Sequence, residues 1–429
     1  MSLLALDFGT SSLKAAVLRG SGATSRVVVM PYKLRLSNGC AEVLTNDVLR
    51  ALRQAIAALP LEKVKAVDYV AIAGMSPAWC AMDARGRALT PLVIHQDRRS
   101  IAEAHEIERR VGRARHLKIA GNRPVPGGIS STTFLWFCRH RRDLMQRADL
   151  VGHLNTFLHR QLTGARVIDP GNASFTGLCE TTKLGDWSQE LMEAAGANRK
   201  ILPEIVDGNV VAGRVTRAAA RRFGLPEGLP MLTGLIDTSA AMLMAGTRAG
   251  QMLNVCGSTD ALAVCCDEPA PDELYLTRAL GIGRKWLSVC TIAAAGSALE
   301  WAHRTLFSEI SAESFYRLIE RVETTSVKCD PDFAGSRVSI EQPMAAFTNL
   351  TLSTTREDLL RAIVDALRKQ SAARIPILTT ACGAKLSREV VVSGGAGRIL
   401  QRYWRGKWKF RYEPEATLRG LGKMEPKEV

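Results

Sequence analysis

The amino-acid sequence predicts an α/β protein of two domains that share one design and face each other across a central cleft. Two hairpins carry this expectation. Residues 3–6 form an apolar strand ending at Asp7, Gly9-Thr10-Ser11-Ser12 makes a turn, and residues 13–18 leave as a second apolar strand. About 250 residues further on, residues 251–256 run into Gly257-Ser258-Thr259-Asp260 and leave through 261–265. Two units of strand, glycine-hydroxyl turn and strand so far apart fit two copies of one domain rather than a short-period repeat array.

Each turn has the chemistry of an anion cradle. Glycine frees the backbone to turn, and the hydroxyls and successive N–H groups donate to phosphate oxygens. In the first turn Lys14 adds a cation, and Asp7 a carboxylate able to hold Mg²⁺ through water. Singly, either turn is equally an ordinary surface hairpin, since such turns are also rich in Gly and Ser. The pair favours phosphate. No GxxxxGK[ST] run exists in the chain, which excludes a P-loop nucleotide site.

The remaining elements follow in order. Residues 3–6, 14–18 and 26–36 read as three consecutive strands, after which Asn46 caps a helix whose Leu49, Leu52, Ile56 and Leu59 share one face before Pro60. Residues 69–73 return as a buried strand. Residues 109–164 read as mostly helical, with Phe134, Leu135 and Phe137 facing a core and Gly127-Gly128 breaking the chain before it. Residues 231–233 form a strand and Asp237 lies just past its end, followed by a helix over 239–245 that Thr238 is placed to cap. The domain division is expected between Gly213 and Leu229, around the Gly224-Leu225-Pro226-Glu227-Gly228 turn, giving domains of 1–222 and 223–429.

Bulk properties narrow the function classes. A chain of 429 residues that is 46% hydrophobic has ample core for two domains. The ten cysteines contain no CxxC pair and stand singly apart from Cys265-Cys266, which speaks against a zinc site or a disulfide framework. With no basic leader and no apolar run of membrane-span length, a reducing cytoplasm is the expected compartment. The formal net charge of +15 and pI near 9.6 suit either nucleic acid or an anionic substrate. The stretch 402–412 interleaves Tyr403, Trp404, Trp408, Phe410 and Tyr412 with cations, a composition able to stack on single strands. A helix and strand with solvated charges accounts for it more simply, and nucleic acid is not the expected partner.

Several separated motifs, in a shared order, resemble the FGGY carbohydrate kinases, a branch of the actin-like ATPases. Asp7-x-Gly9-Thr10-Ser11-x-x-Lys14 is similar to the family's first phosphate motif, and Pro91 through Arg99 to its segment ending in Trp-x-Asp-x-Arg, with His95 in place of Trp. Leu162-Thr163-Gly164, then Asp169-Pro170-Gly171-Asn172-Ala173-Ser174, resembles a further stretch. Gly234 through Gly246 resembles the segment with the family's catalytic aspartate, and Val390 through Gly397 its adenosine motif. Here the second phosphate turn reverses its hydroxyls to Ser258-Thr259, and Gly335-Ser336-Arg337 lacks the Glu often found before that Arg.

The resemblance implies two actin-like (ribonuclease H-like) domains flanking the cleft, and transfer of the γ-phosphate of ATP to a hydroxyl of a sugar or polyol. Phosphoryl transfer asks for an in-line acceptor, charge neutralised around the phosphate, and a base. The implied base is Asp237; an Asp at a helix start is commonly a cap, but Thr238 can cap instead and leave the carboxylate free, which favours the base. Thr10, Ser11, Lys14, Gly257, Ser258, Thr259, Gly394 and Gly395 are implied for ATP, Asp7 for Mg²⁺, and Ser76, Asp97 and Arg99 for the sugar. Gly74-Met75-Ser76-Pro77-Ala78 shows neither a Gln-Met-His nor an Arg-Glu pattern, so the acceptor stays open, with a ketose such as a pentulose expected. A homodimer is compatible with this reading. A non-catalytic, actin-like protein that binds nucleotide and senses sugar is the other reading; the joint presence of Asp7, Asp97, Arg99 and Asp237 speaks against it.

Overall fold

The computed structural model describes residues 1–19, 26–321, 324–394, 397–401, 404 and 406–428, the side chain of Arg398 aside. Strand Ser2–Phe8 pairs antiparallel with Ser12–Arg19 and parallel with Tyr69–Gly74. Val28–Pro31 extends one edge of this sheet, and Pro230–Leu232 then Val211–Arg214 the other. Its central strands are covered on both faces, which is why they read as unbroken apolar runs such as Leu3-Leu4-Ala5-Leu6.

A second sheet repeats the order. Met252–Cys256 pairs antiparallel with Asp260–Cys266 and parallel with Glu389–Ser393. Trp286–Ile292 lies beyond the former and Lys409–Tyr412 beyond the latter, with Leu276–Ala279 outermost. In both hairpins three residues span the turn, Gly9 to Ser11 and Gly257 to Thr259, and a glycine N–H closes it: Gly9 onto the Ser12 carbonyl and Gly257 onto that of Thr259, each at 2.9 Å. The duplicated design expected from the two motifs is therefore present in strand order and in turn length.

A third, five-stranded sheet belongs to the first half: Leu34–Ser37, Cys40–Val43, Leu92–Ile94, Ala78–Met82 and Leu150–His153. Helices Ile101–Val111 and Ser130–His140 pack on it through Trp79, whose ring lies 6.5 Å from Phe134 and 5.2 Å from Phe137.

Three local expectations are corrected. The strand over 26–36 is two strands in two sheets, because Tyr32 pins the chain to the first turn: its N–H donates to the Ser11 carbonyl at 2.9 Å and its hydroxyl to that of Gly9. Helix Thr45–Ala58 starts ahead of Asn46, which lies in its first turn, and Leu44 stands at the cap without a side-chain bond. The apolar face Val48, Leu52, Ala55 and Ile56 fixes that helix, not a capping residue. Within 109–164 the strand Leu150–His153 interrupts the helices because it completes the third sheet beside Ala78–Met82. Much of the aromatic stretch near the end packs inward, with Tyr412 exposed: Trp404 is buried against Trp408 and Phe410, and its indole N–H donates to Ser371 at 2.8 Å. Tyr403 lies outside the described residues.

The expected division at 222/223 falls among strands of one sheet, since Pro230–Leu232 and Leu235–Ile236 both run parallel to Tyr69–Gly74. We propose the division at Asp237, with the C-terminal segment returning to the first domain: Lys427 bridges Val210, and Leu418, Leu421 and Met424 pack with Leu3, Ala5 and Leu232. Helices Asp237–Ala245 and Ala416–Leu421 cross where the sheets meet. They touch closely enough that a Cβ on Gly420 would lie 1.7 Å from the Ala240 carbonyl oxygen. Gly420→Ala must spread these helices, so we expect a loss of about 1–3 kcal/mol, seen as a lower urea midpoint at unchanged slope.

Candidate active site

Between the two sheets lies a cavity of about 90 Å³. Thr10 of the first turn, Thr259 of the second and Asp237 at the helix crossing all line it. Ser76, His95, Arg278 and Arg337 add further polar groups to its wall.

Asp237 is the first residue of its helix and sits directly after Leu235–Ile236. The Thr238 N–H donates to its Oδ1 at 2.6 Å. Thr238 was expected to cap the helix and leave Asp237 free; its hydroxyl instead accepts from the Arg278 guanidinium at 2.6 Å, and the carboxylate takes the helix N–H. Burial pushes the Asp237 carboxyl above its ordinary value, opposed by the Thr238 N–H, Arg278 and Arg337. Asp7, at the end of the first strand, is pushed up to about 7, first by burial and then by the charge of Asp237, with Lys14 pulling the other way. Two enclosed carboxylates thus repel each other beside the first turn.

Both turns are pinned by hydrogen bonds, the first by Tyr32. Ser258 accepts at its carbonyl from Ala295 N–H at 2.9 Å and from the Ser297 hydroxyl at 3.0 Å, and the Gly257 carbonyl accepts from Gly296 N–H at 3.0 Å. Their outward faces are open, with Ser11, Gly257 and Ser258 exposed. Lys14 does not extend over the turn: its ammonium binds both oxygens of Glu415 at 2.9 and 2.7 Å. Gly394 has φ of +91° and packs its backbone on the second turn, where a Cβ would meet the Cys256 carbonyl oxygen at 2.3 Å. Gly395 lies outside the described residues.

Of the residues expected to touch sugar, Ser76 lines the cavity, its hydroxyl donating to Asn172 Oδ1 at 2.8 Å. Asp97 and Arg99 do not. Asp97 is fully buried; its carboxylate accepts from Ala41 N–H at 2.8 Å and from Arg99 Nε and Nη2 at 2.9 and 2.7 Å. Arg99 also reaches Glu42 at 2.5 Å and lies 5.1 Å from the centre of the Trp136 ring. Through Ala41 and Glu42 this pair ties the segment after Leu92–Ile94 to Cys40–Val43.

In the sequence, His95 and the residue before Arg337 stand out only as departures from a pattern, and Arg278 does not stand out at all. Arg278 carries no local signal, since Leu276-Thr277-Arg278-Ala279 is an ordinary strand; only the sheet order brings it under Asp237. It is buried, with its guanidinium on the hydroxyls of Thr238 and Ser239 and 5.7 Å from the Phe175 ring.

A family model described as the N-terminal domain of the FGGY family of carbohydrate kinases matches residues 2–244. A xylulose kinase of Escherichia coli (strain K12) is 25% identical over 420 residues, 94% of this chain and 83% of the relative. A gluconokinase of Bacillus subtilis (strain 168) is 22% identical over 435 residues, 97% of this chain and 84% of the relative. The crystal structure of xylulose kinase from Rhodospirillum rubrum shares the fold, with a TM-score of 0.84 at 24% identity over 99% of this chain and 88% of that one. With its duplicated sheets, two phosphate-type turns and enclosed aspartate, the chain belongs to the FGGY family of carbohydrate kinases and has their two-domain, actin-like fold.

Proposed function

We propose that this sugar kinase moves the γ-phosphate of ATP to a hydroxyl of a small sugar or polyol, with Asp237 as the base. The observation that supports this most is the convergence of Thr10, Thr259 and Asp237 on one cavity, each delivered by a different element. The acceptor oxygen bonds to the γ-phosphorus, the bond from that phosphorus to the bridging oxygen of ADP breaks, and the hydroxyl proton passes to Asp237. A carboxyl raised by burial is a stronger base than an ordinary aspartate, which suits proton removal near neutral pH. Thr10, Ser11, Gly257, Ser258 and Thr259 would hold the phosphates, and the backbone of Gly394 would face the nucleotide. Lys14 joins them only if Glu415 releases it.

The mutual repulsion of Asp7 and Asp237 fits a divalent cation, and Mg²⁺ takes few carboxylates alongside phosphates and waters. Asp7 would hold it, and the ion would neutralise charge on the phosphate oxygens. Relatives bear the names xylulose kinase, gluconokinase, L-fuculokinase and glycerol kinase, so they divide over the acceptor. A pentulose is the candidate that the sequence resemblance favours. A cavity of about 90 Å³ is well below the size of a ligand site, so the domains must part to admit substrate.

Asp237→Asn should lower kcat by about 10²-fold or more while ATP affinity, read by calorimetry, stays within a few-fold. Near-normal turnover in the folded variant would remove Asp237 from the chemistry. Asp7 has a folded-state value of about 7 against an ordinary 3.8, so it binds its proton more tightly folded than unfolded. Its contribution to stability is therefore present below about pH 4 and lost as pH rises through 7. Asp7→Asn should raise Tm at pH 8 and leave it little changed at pH 4. Asp97→Ala takes from Arg99 one of its two carboxylate partners, leaving Glu42 as the other, and unpairs the buried Ala41 N–H, a loss of about 1–3 kcal/mol. If it folds, KM for sugar and for ATP should move together, whereas a rise for sugar alone would return Asp97 to the acceptor site.

A further inference from the structure

One loop of the second domain reaches over to the first and helps to wall the cavity. Strands Lys328–Asp330 and Ala346–Thr348 pair antiparallel, and Phe333, Ala334 and Phe347 pack with the core of the second domain. Between these anchors, residues 335–342 cross to the first domain. Ile340 is fully buried in a small cluster with Ala104 and Val125, and the Arg337 guanidinium donates to the Ser76 carbonyl at 3.3 Å. The loop carries its own frame: the Gln342 amide accepts from the Ser336 N–H at 3.3 Å and donates to the Ser336 and Ser339 carbonyls at 3.1 and 2.5 Å. A residue of the first domain grips that frame. Arg98 donates its Nε–H to Gln342 Oε1 at 2.6 Å, and its Nη1 to the carbonyls of His95, Pro126 and Asp97 at 2.8, 2.9 and 3.0 Å. A single guanidinium thus ties the segment that bears His95 to the loop that bears Arg337, and both of those side chains line the cavity.

The contact is built to be broken and remade. It consists of one apolar side chain and neutral hydrogen-bond acceptors, and the charges of Arg98 and Arg337 oppose each other across it, with Asp237 facing Arg337 from the cavity. Such a contact is weaker than the close ion pairs that hold the scaffold, and domains that part to admit substrate have to draw Ile340 away from Ala104 and Val125 or bend the loop. We propose that Arg98 is a positioning residue for the acceptor: together with the Ile340 plug it seats residues 335–342 on the first domain, and only the seated loop brings Arg337 to the acceptor. This rests on the kinase reading and adds to it a side chain that acts on the acceptor through another. The turns with Thr10 and Thr259 are closed by hydrogen bonds of their own, so the seating of the loop bears on the acceptor and little on ATP.

The test uses the full chain with ATP and Mg²⁺, follows ADP release, and takes its constants with whichever of D-xylulose, D-gluconate, L-fuculose and glycerol is turned over best. Ile340→Ala leaves the Arg98 bonds whole, and Arg98→Met removes them while filling the space. Each should raise KM for the acceptor about tenfold or more, the scale of a small misplacement within a site, with kcat within about threefold and KM for ATP within about twofold. Because both act through one seated loop, the double variant should fall short of the product of the two effects. Seating is read separately by trypsin cleavage of the Arg337–Val338 bond, followed by mass. Cleavage should be faster in Ile340→Ala than in the parent chain, and the acceptor should slow it in the parent. An acceptor KM that does not move in Ile340→Ala, or a KM for ATP that rises as much, makes the loop a structural brace and overturns the inference while the kinase reading stands. If none of the four is phosphorylated, the kinase reading fails. Slower cleavage with any of them then still supports a loop that seats on a bound sugar, and unchanged cleavage with all of them overturns it.

Discussion

Two short helices cross where the sheets of the two domains meet, and the absence of a side chain at Gly420 lets them touch backbone to backbone. Each helix is packed from both sides. Ala240 joins the core of the first sheet while Ala241 and Met242 join that of the second; Leu418 and Leu421 face the first while Ala416 faces the second. Because Asp237 is the opening residue of one of these helices, its position is set by this crossing and not by a loop. The distance of Asp237 from each glycine turn therefore depends on how the two domains sit against each other. Any motion of one domain against the other has to slide or tilt these packed helices.

Around that crossing, the protein handles enclosed charge in two ways. Structural charges are paired and saturated. The Asp97–Arg99–Glu42 cluster fixes the segment that presents His95, and the Arg374–Asp260 pair, at 2.5 Å, ties the long helix Arg356–Cys382 to the strand leaving the second turn. Charges at the cavity face one another without the close pairing of the scaffold: Arg278 and Arg337 act on Asp237, and Asp7 is repelled by it. Loosely paired groups cost stability in the empty protein, and that cost is recovered when ligands bring the opposite charge. The division between closely and loosely paired groups separates scaffold from site more sharply than residue type does, since both sets consist of Asp, Glu and Arg.

The elements that were legible in the sequence are those whose signal is local. The two turns are short, bounded by apolar strands, and identical in length in the structure, so their order of glycine and hydroxyls could be read directly. Asp237 was legible because a strand end and a helix start flank it. What misled was equally local reasoning: Asp97 and Arg99 stand at a strand end with the look of ligand groups, yet their carboxylate and guanidinium are consumed by each other, by Ala41 and by Glu42. No reading of residues 91–99 shows that Cys40–Val43 lies alongside them.

The sequence by itself determined the α/β class, the duplicated hairpins and the residues at their turns, because strand burial and turn chemistry are written over a few consecutive positions. Tertiary structure alone decided the rest. It carried the first sheet on to Ile236 and returned the C-terminal segment to it; it coupled Lys14 to Glu415 across 401 positions, and brought Arg278 and Arg337 to one cavity with His95. Those outcomes rest on contacts between segments remote in the chain, where the partner that saturates or strands a charge is fixed by packing and leaves no trace in the residues on either side of it.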